Sequence, residues 1–308
     1  MRILFMGTPE FAVPTLETII KTDEVVAVIT QPDKPQGRKM IEMPPPVKVT
    51  AIKHNIPVFQ PQSLKNNEVA NILVEYNPEL IVVVAYGKIL PEYILNYPKY
   101  GCINVHASLL PKYRGAGPIQ WAVINGEKET GITTMYMEKG LDTGDMILKK
   151  KTQIREYETA GELHDRLKIL GAEAMAETLT LIKEGRIVRE KQDDSISSYA
   201  PMLNKEIAKI NFNDDARKII NLIRGLNPWP VAYTYYKNKK LKIYSAVISG
   251  NSGLEPGFAK ESEKGSLEIG CGDNQNIEVL ELQLEGGRRM TAKEFLAGHP
   301  FKESTKLI

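Results

Sequence analysis

Apolar residues in the first 150 positions alternate between short continuous runs and stretches with helical spacing. The runs are rich in Val and Ile, which suits strands buried on both faces. Between them, apolar residues recur every three or four positions, as in amphipathic helices packed on a sheet. This alternation predicts an α/β domain with a Rossmann-like parallel sheet covered on both faces. The strand-like runs are residues 2–6, 25–29, 80–84 and 102–106, and the helical stretches are 14–21, 47–54 and 68–76.

A polar segment divides the rest of the chain into two parts. Residues 132–137 and 146–154 predict two further strands, and a helical pattern extends from about 159 to 183. Residues 190–206 contain many Asp and Ser but no periodic apolar residues, so we predict a linker there. This division predicts one domain over residues 1–189 and a second over 207–308.

The predicted C-terminal domain has a different pattern from the N-terminal one. After a helix at about 214–224, short strand-like pieces alternate with clusters of Gly, Asn and Lys. This spacing is typical of a small β-barrel or sandwich. The pieces are residues 231–236, 241–246, 266–269 and 277–282.

Composition restricts the class of protein only modestly. The 308 residues are 42% hydrophobic and 25% charged, which is ordinary for a globular protein. The two cysteines are too few for a disulfide framework, and no apolar run is long enough to span a bilayer. Because the chain opens with a strand rather than a secretory leader, we expect a cytoplasmic protein with no membrane partner. Residues 204–308 hold 16 Lys and Arg against 13 Asp and Glu, a slight excess that favours a polyanionic partner.

The turn after the first strand contains a single glycine. Gly7 is followed by Thr8, Pro9 and Glu10, so the other glycines of a dinucleotide-binding fingerprint are missing. We therefore predict a tight turn between strand and helix, and no NAD.

Residues with catalytic chemistry are concentrated between positions 104 and 145. Asn104 and His106 are two positions apart at the end of a predicted strand, so their side chains share one face. Ligands of open α/β sheets bind beyond the carboxyl ends of the strands, where this pair would lie. Asp142 lies in a turn-rich segment, which can bring its carboxylate back to the strand end that carries Asn104 and His106. Such a set suits attack on a carbonyl group: Asn and His stabilise the oxyanion, and Asp sets the protonation of the imidazole.

Each of these three side chains also has a structural explanation. A His at a strand end is commonly a satisfied structural group, Asn104 can pin a loop, and Asp142 can support a turn at Gly144. Their spacing is not that of metal ligands, and we predict no metal. Spacing alone therefore leaves both explanations open.

Three segments resemble the signature of the folate-dependent formyltransferases. They are Asn104-Val105-His106, Ser108-Leu109-Leu110-Pro111 and Leu141-Asp142-Thr143-Gly144-Asp145. Asn104, His106 and Asp142 match the catalytic positions of that family. The resemblance implies a formyl-Rossmann N-terminal domain and an OB-like C-terminal β-barrel. It also implies 10-formyltetrahydrofolate as the formyl donor.

The resemblance further implies where the folate and its acceptor bind. It places the pterin between residues 86–90 and 138–142. The start at Gly7–Phe11, the loop at 31–38 and the β-rich C-terminal part narrow the resemblance to members that formylate charged initiator methionyl-tRNA. The folate contacts it implies are Tyr86, Ile89, Leu90, Ser108, Leu109, Leu110 and Pro111.

Four basic residues are candidates for contacts with tRNA. Arg38 and Lys39 lie on the long Pro-rich loop, which in those family members reaches the acceptor stem, so we predict that Arg38 selects the initiator. Lys237 and Lys240 flank a predicted hairpin rich in Tyr, where phosphates and bases can bind. An alternative is that these lysines protect a solvated edge strand.

Two other functions compete with this one. The first is a formyltransferase that acts on glycinamide ribonucleotide or an amino sugar, and the long basic loop and predicted barrel disfavour it. The second is a non-catalytic tRNA-binding protein of the same fold. The complete set of Asn104, His106 and Asp142 disfavours that one.

Overall fold

The computed structural model describes residues 1–36, 41–65, 67–251, 253–263, 265–301 and 304–307. The chain forms two compact units, and each takes three stretches of the sequence. The predicted linear boundaries at 189 and 207 stay a prediction about where the domains end. The first unit contains residues 1–118, 130–152 and 164–200, and the second contains 119–129, 153–163 and 201–308.

Strands and helices alternate through the first unit, whereas strands dominate the C-terminal third. The strands are β1 (Arg2–Gly7), β2 (Glu24–Ile29), β3 (Lys34–Gln36), β4 (Ile41–Met43), β5 (Val58–Phe59), β6 (Leu80–Val84), β7 (Cys102–His106), β8 (Glu129–Tyr136), β9 (Met146–Gln153), β10 (Tyr233–Tyr236), β11 (Lys239–Gly250), β12 (Phe258–Glu261), β13 (Leu267–Gly270), β14 (Asn276–Leu284), β15 (Met290–Thr291) and β16 (Thr305–Lys306). The α-helices are α1 (Val13–Thr22), α2 (Pro46–Lys53), α3 (Asn67–Tyr76), α4 (Glu92–Leu95), α5 (Pro118–Ile124), α6 (Ala160–Lys183), α7 (Ala216–Gly225) and α8 (Ala292–Gly298).

The main sheet of the first unit has seven strands in the order β5-β2-β1-β6-β7-β8-β9. Pairing is parallel from β5 to β7, which confirms the Rossmann-like sheet predicted from the Val-rich and Ile-rich runs. The pairing of β7 with β8 is antiparallel, with His106 opposite Thr133. After β2 and β5 the chain crosses to the other side of β1 to form β6. The carboxyl ends of β1 and β6 therefore border the crevice where open α/β sheets bind ligands.

The second unit contains an antiparallel sheet in the order β10-β11-β14-β13-β12-β16, with β15 also paired to β14. This architecture agrees with the predicted OB-like C-terminal domain. Helix α7 covers its core with Ile219, Ile220 and Ile223, each 1% exposed. Within the described part of the chain, no helix combines the length and apolarity needed to cross a membrane.

The second unit also includes two stretches that lie earlier in the sequence than its main part, residues 119–129 and 153–163. Trp121 and Ile124 pack against its hydrophobic core, and the indole N–H of Trp121 donates to the carbonyl of Pro201. The buried guanidinium of Arg224 donates to the carbonyls of Arg155 and Glu158. These contacts explain why residues 119–129 and 153–163 belong to the second unit although strands of the first unit flank them in sequence.

Candidate active site

His106 ends β7 with its imidazole buried among polar groups. Its Nε2 lies 2.9 Å from the carbonyl oxygen of Tyr113. Because a carbonyl can only accept, Nε2 carries a proton. The other nitrogen, Nδ1, faces Asp142 Oδ2 at 3.7 Å and makes no hydrogen bond to any described residue. The side chains of His106 and Asp142 are only 6% and 12% exposed, which strengthens their electrostatic interaction.

Asn104 lies two residues before His106 on β7, and the strand's alternation places both side chains on one face. Asn104 is half-buried, between Val83 of β6 and Met135 of β8 in the sheet. Its amide makes no hydrogen bond within the described residues. A half-buried amide without a protein partner at a strand end is available to a ligand.

Asp142 reaches the site from the turn between β8 and β9. Its Oδ2 accepts a hydrogen bond from the backbone N–H of Gly115 at 2.8 Å, and the same oxygen faces His106. The backbone of Asp142 has a φ of +52°, in the left-handed region that non-glycine residues seldom adopt. The predicted return of this carboxylate to His106 is therefore present in the structure, at a cost in local backbone energy.

Two glycines permit the close approach of the loops around Asp142. At Gly115, with φ +109°, a Cβ would lie 2.8 Å from the carbonyl oxygen of Ala200. At Gly144, a Cβ would lie 1.9 Å from the carbonyl oxygen of Tyr136. A side chain at either position would displace the backbone that carries Asp142 or its hydrogen-bond donor.

A buried threonine, Thr133, holds the loop after β7 in place, and no sequence pattern predicts this role. Thr133 lies opposite His106 on β8 and is fully buried. Its hydroxyl donates to the carbonyl of Ser108 at 2.7 Å and accepts from the N–H of Leu110 at 3.1 Å. Only the antiparallel pairing of β7 with β8 reveals this role, and no sequence motif marks it.

We expect Thr133→Val to destabilise the protein, because it keeps the side-chain volume but leaves the Ser108 carbonyl and the Leu110 N–H without that partner. The free energy of unfolding should fall by about 1–3 kcal/mol, the cost of leaving buried polar groups unsatisfied. Urea denaturation measures this change. Thr180→Val, at an exposed helix position, is the matched control and should cost less than about 0.5 kcal/mol. Equal stability of the two variants would show that Thr133 does not pin the loop.

The predicted folate residues differ widely in exposure. Ile89 is 83% exposed, and Leu109 is half-buried. The others are buried, and the Ser108 hydroxyl is already used in a 2.6 Å hydrogen bond to the carbonyl of Lys112. The buried residues contribute to the packing of their own loops, whereas Ile89 offers an apolar surface to solvent. The buried members are Tyr86, Leu90, Ser108, Leu110 and Pro111.

One ion pair links the segment 138–142, predicted to border the pterin, to the helix that follows the other predicted segment, 86–90. Lys139 forms a 3.4 Å ion pair with Glu92, at the start of the helix that follows residues 86–90. Leu141 is 53% exposed, so each segment presents one large apolar side chain to solvent. Exposed apolar side chains of this kind suit the wall of a ligand site.

Tyr86 follows β6 and supplies a buried polar group. Its hydroxyl has no hydrogen-bond partner among the described residues, although the side chain is only 2% exposed. Burial, with a contribution from nearby Tyr93, raises the pKa of Tyr86 to about 12. The hydroxyl therefore stays protonated at neutral pH and can offer a hydrogen bond without acting as a base.

The basic residues predicted to contact tRNA fall in different parts of the protein. Arg38 and Lys39 lie outside the described residues. The predicted hairpin is present: β10 and β11 pair across a turn at Lys237 and Asn238, both with positive φ. Lys240 Nζ lies 4.1 Å from the centre of the Tyr233 ring. Lys237 is exposed and Lys240 is half-buried.

One aromatic residue of the hairpin is not available to a ligand. Tyr236 is 4% exposed and stacks on Phe301 with ring centres 4.9 Å apart. Tyr233 and Tyr235 are half-buried and meet edge to face on the other side of the strand. The predicted stacking surface is therefore reduced to those two rings and Tyr244, over which Arg289 lies at 4.3 Å.

The chain matches two family models in succession. Residues 1–179 match the formyl transferase model, and residues 202–300 match the formyl transferase C-terminal domain. It is also similar to solved structures, among them the N-formyltransferase from Helicobacter canadensis. That structure has a TM-score of 0.68 at 22% identity, and the match covers 91% of this chain and 98% of the other. At that identity the likeness establishes the fold alone.

Two curated relatives are much more similar in sequence. The methionyl-tRNA formyltransferase of Caldanaerobacter subterraneus subsp. tengcongensis is 54% identical over 309 residues, with all of both chains covered. That of Geotalea daltonii is 53% identical over 308 residues, covering 100% of this chain and 98% of the relative. Together with the two family models and the fold, this similarity shows that the chain belongs to the formyl transferase family.

Proposed function

We propose that this protein transfers the formyl group of 10-formyltetrahydrofolate to the α-amino group of charged initiator methionyl-tRNA. The observation that carries the proposal is the meeting of Asn104, His106 and Asp142 at the carboxyl end of β7. Relatives named for this reaction match the whole chain at more than half identity. Because charged tRNA is used in translation, the proposal places the protein in the cytoplasm.

Asn104 and His106 are proposed to stabilise the oxyanion that forms when the formyl carbon is attacked. The Asn104 amide and His106 Nδ1 are unbonded within the described residues and lie on one face of β7. Donors of this kind stabilise charge that develops only in the transition state, and burial increases their effect. Tyr113 holds the opposite ring nitrogen at 2.9 Å, which fixes the direction of Nδ1.

Asp142 is proposed to keep His106 protonated and to assist proton transfer. Its Oδ2 lies 3.7 Å from Nδ1, so a proton on Nδ1 is stabilised by the carboxylate while its hydrogen still has room to reach the formyl oxygen. The attacking amine must lose one proton, and the folate nitrogen must gain one as its bond to the formyl carbon breaks. We propose that Asp142 carries that proton from the amine to the folate nitrogen.

The nucleophile itself needs little activation. An α-amino group has a reference pKa of about 8, so a useful fraction is unprotonated at neutral pH. The protein's contribution is therefore orientation of the amine and stabilisation of the oxyanion.

The folate site is proposed for the crevice bordered by residues 86–90 and 138–142. Exposed Ile89 and Leu141 would cover the apolar faces of the aromatic rings, and buried Tyr86 and Leu90 would shape the crevice from the core side. The buried residues of 108–111 would act by shaping the neighbouring loop. Arg38 and Lys39 keep their predicted role at the acceptor stem.

The hairpin of β10 and β11 is proposed to bind tRNA phosphates through Lys237 and Lys240. We expect Lys237→Met and Lys240→Met to weaken tRNA binding while leaving folate affinity unchanged, because the methionine keeps the apolar stem but removes the charge. The slope of log affinity against log salt should become shallower by about 1 for each lysine that no longer neutralises a phosphate. Binding titrations at several salt concentrations measure both effects.

Lys260→Met is the control for the hairpin variants, because Lys260 is an exposed lysine of β12 in the same unit. It should change neither affinity nor slope. β10 is the first strand in the order of this sheet. The alternative role of the two lysines is therefore to protect this edge strand from pairing with another chain. If the hairpin variants aggregate in size-exclusion chromatography but keep the tRNA salt slope, the phosphate contacts are wrong.

A direct assay tests the proposed reaction against its competitors. The protein is incubated with 10-formyltetrahydrofolate, and formyl transfer is followed to methionyl-tRNA, to glycinamide ribonucleotide and to an amino sugar. The proposal requires transfer to methionyl-tRNA, preferring the initiator over the elongator. Transfer to one of the small acceptors alone, or to none, would overturn it.

A further inference from the structure

Residues 190–200, predicted as part of a linker, form a strap across the loops of the first unit that carry the site. At one end, Glu190 and Met146 exchange backbone hydrogen bonds of 2.8 and 2.9 Å. At the other end, Arg114 donates its N–H to the Ser198 carbonyl, and Ala200 donates to the Arg114 carbonyl. The strap therefore follows both the 142–146 turn and the 113–115 loop.

Gln192 lies in the middle of this strap, and its side chain joins the two loops. Its Nε2 donates to the carbonyls of Asp142 and Gly144, both at 2.8 Å. Its Oε1 accepts from Nε and Nη2 of Arg114, at 3.0 and 2.8 Å. One amide thus uses both of its N–H donors on one loop and its oxygen on the other, its full hydrogen-bonding capacity.

Both loops held by Gln192 also hold His106 and Asp142. Arg114 stands between Tyr113, whose carbonyl bonds His106 Nε2, and Gly115, whose N–H bonds Asp142 Oδ2. On the other side, Gln192 bonds the carbonyl of Asp142 itself, a residue with a strained φ of +52°. Surrounding contacts are needed to maintain such a conformation, and the Gln192 amide supplies one of them.

We propose that Gln192 is a positioning residue for formyl transfer, which sets the separation and orientation of His106 and Asp142 without touching the reacting groups. The proposal rests on the catalytic roles proposed above for that pair. A displacement of about 1 Å can reduce a rate by about 100-fold, so loss of Gln192 should lower kcat by roughly 10- to 100-fold. The KM for tRNA should change little, because Gln192 contacts none of the residues proposed to bind tRNA. The KM for folate should change less than kcat, because Gln192 bonds the 138–142 segment only through the backbone carbonyl of its last residue, Asp142.

Two variants separate the bonds to Asp142 and Gly144 from the bond to Arg114. Gln192→Met removes every hydrogen bond of the side chain. Gln192→Glu keeps acceptors for Arg114 but loses both donors to the 142–144 carbonyls. If the position of Asp142 is what matters, both variants should lose kcat to a similar extent. Normal kcat in Gln192→Glu would limit the residue to anchoring Arg114 and overturn the proposal.

Asp194→Asn is the matched control from the same strap. Asp194 is 81% exposed and forms a 2.7 Å ion pair with Arg114 that Gln192 does not share. Exposed ion pairs contribute little, so this variant should retain normal kcat. Equal loss in Asp194→Asn would mean that any disturbance of the strap is sufficient, and the specific role of Gln192 would be wrong.

A double-mutant cycle tests whether Gln192 acts through Asp142. If it does, Gln192→Met should lower kcat much less in an Asp142→Asn background than in the native protein. Multiplicative losses would overturn the proposal. ¹⁵N NMR of the His106 ring at fixed pH gives a second readout, since a displaced Tyr113 carbonyl changes the Nε2–H resonance. Near-normal turnover in His106→Ala would instead refute the catalytic assignment, whatever Gln192 does.

Discussion

His106→Ala and Asn104→Ala should each fold normally and lose formyl transfer by on the order of 10²–10³ in kcat, the effect of removing one oxyanion donor. The reason is the geometry at the end of β7. The Asn104 amide and His106 Nδ1 lack hydrogen-bond partners in the described structure, whereas Nε2 is fixed on the Tyr113 carbonyl. Single-turnover measurement with methionyl-tRNA and 10-formyltetrahydrofolate reports the chemical step directly.

Folding of these two variants needs its own control. His106 is buried, so its removal also leaves a space beside Tyr113. His106→Gln retains a polar side chain of similar length that can still donate to the Tyr113 carbonyl, and it separates loss of packing from loss of the imidazole. Circular dichroism and urea denaturation verify the fold. A folded variant with near-normal turnover would remove that residue from the mechanism.

Asp142→Asn should be at least as damaging, with a loss on the order of 10³–10⁴, as when the carboxylate beside a catalytic His becomes an amide. The amide can still accept from the Gly115 N–H, so the loop keeps its shape. That oxygen still faces His106 Nδ1, but it no longer carries the negative charge that stabilises a proton on this nitrogen. The charge is lost while the shape is kept.

¹⁵N NMR at a fixed neutral pH distinguishes this explanation from a collapsed loop. In Asp142→Asn, the Nδ1 resonance of His106 should shift because the negative charge beside that nitrogen is lost, while the Nε2 resonance should stay unchanged because its bond to the Tyr113 carbonyl is kept. Asp145→Asn, a few residues further along the same turn, is the control and should keep both the resonances and the rate. An unchanged Nδ1 resonance together with full loss of activity would contradict the proposed coupling.

Only part of the candidate site could be predicted from the sequence. Asn104 and His106 could be paired from their spacing, because alternate residues of a strand share a face. The return of Asp142 was inferred from a turn-rich segment, and the structure brings it to 3.7 Å from His106. No sequence pattern predicted the roles of Thr133 and Gln192. Thr133 is an ordinary β-strand residue, and Gln192 lies in a polar segment whose composition predicts a linker.

By itself the sequence determined the local structure: buried Val-rich and Ile-rich strands, amphipathic helices, and the paired side chains at the end of β7. These follow from periodicity, which depends only on neighbouring residues. The tertiary structure alone decided that residues 119–129 and 153–163 join the second unit and that the 190–200 strap spans the catalytic loops. Such contacts join residues tens of positions apart, as Gln192 joins Asp142 and Arg114. Their hydrogen-bonding groups are satisfied only once the folded backbone brings the partners together.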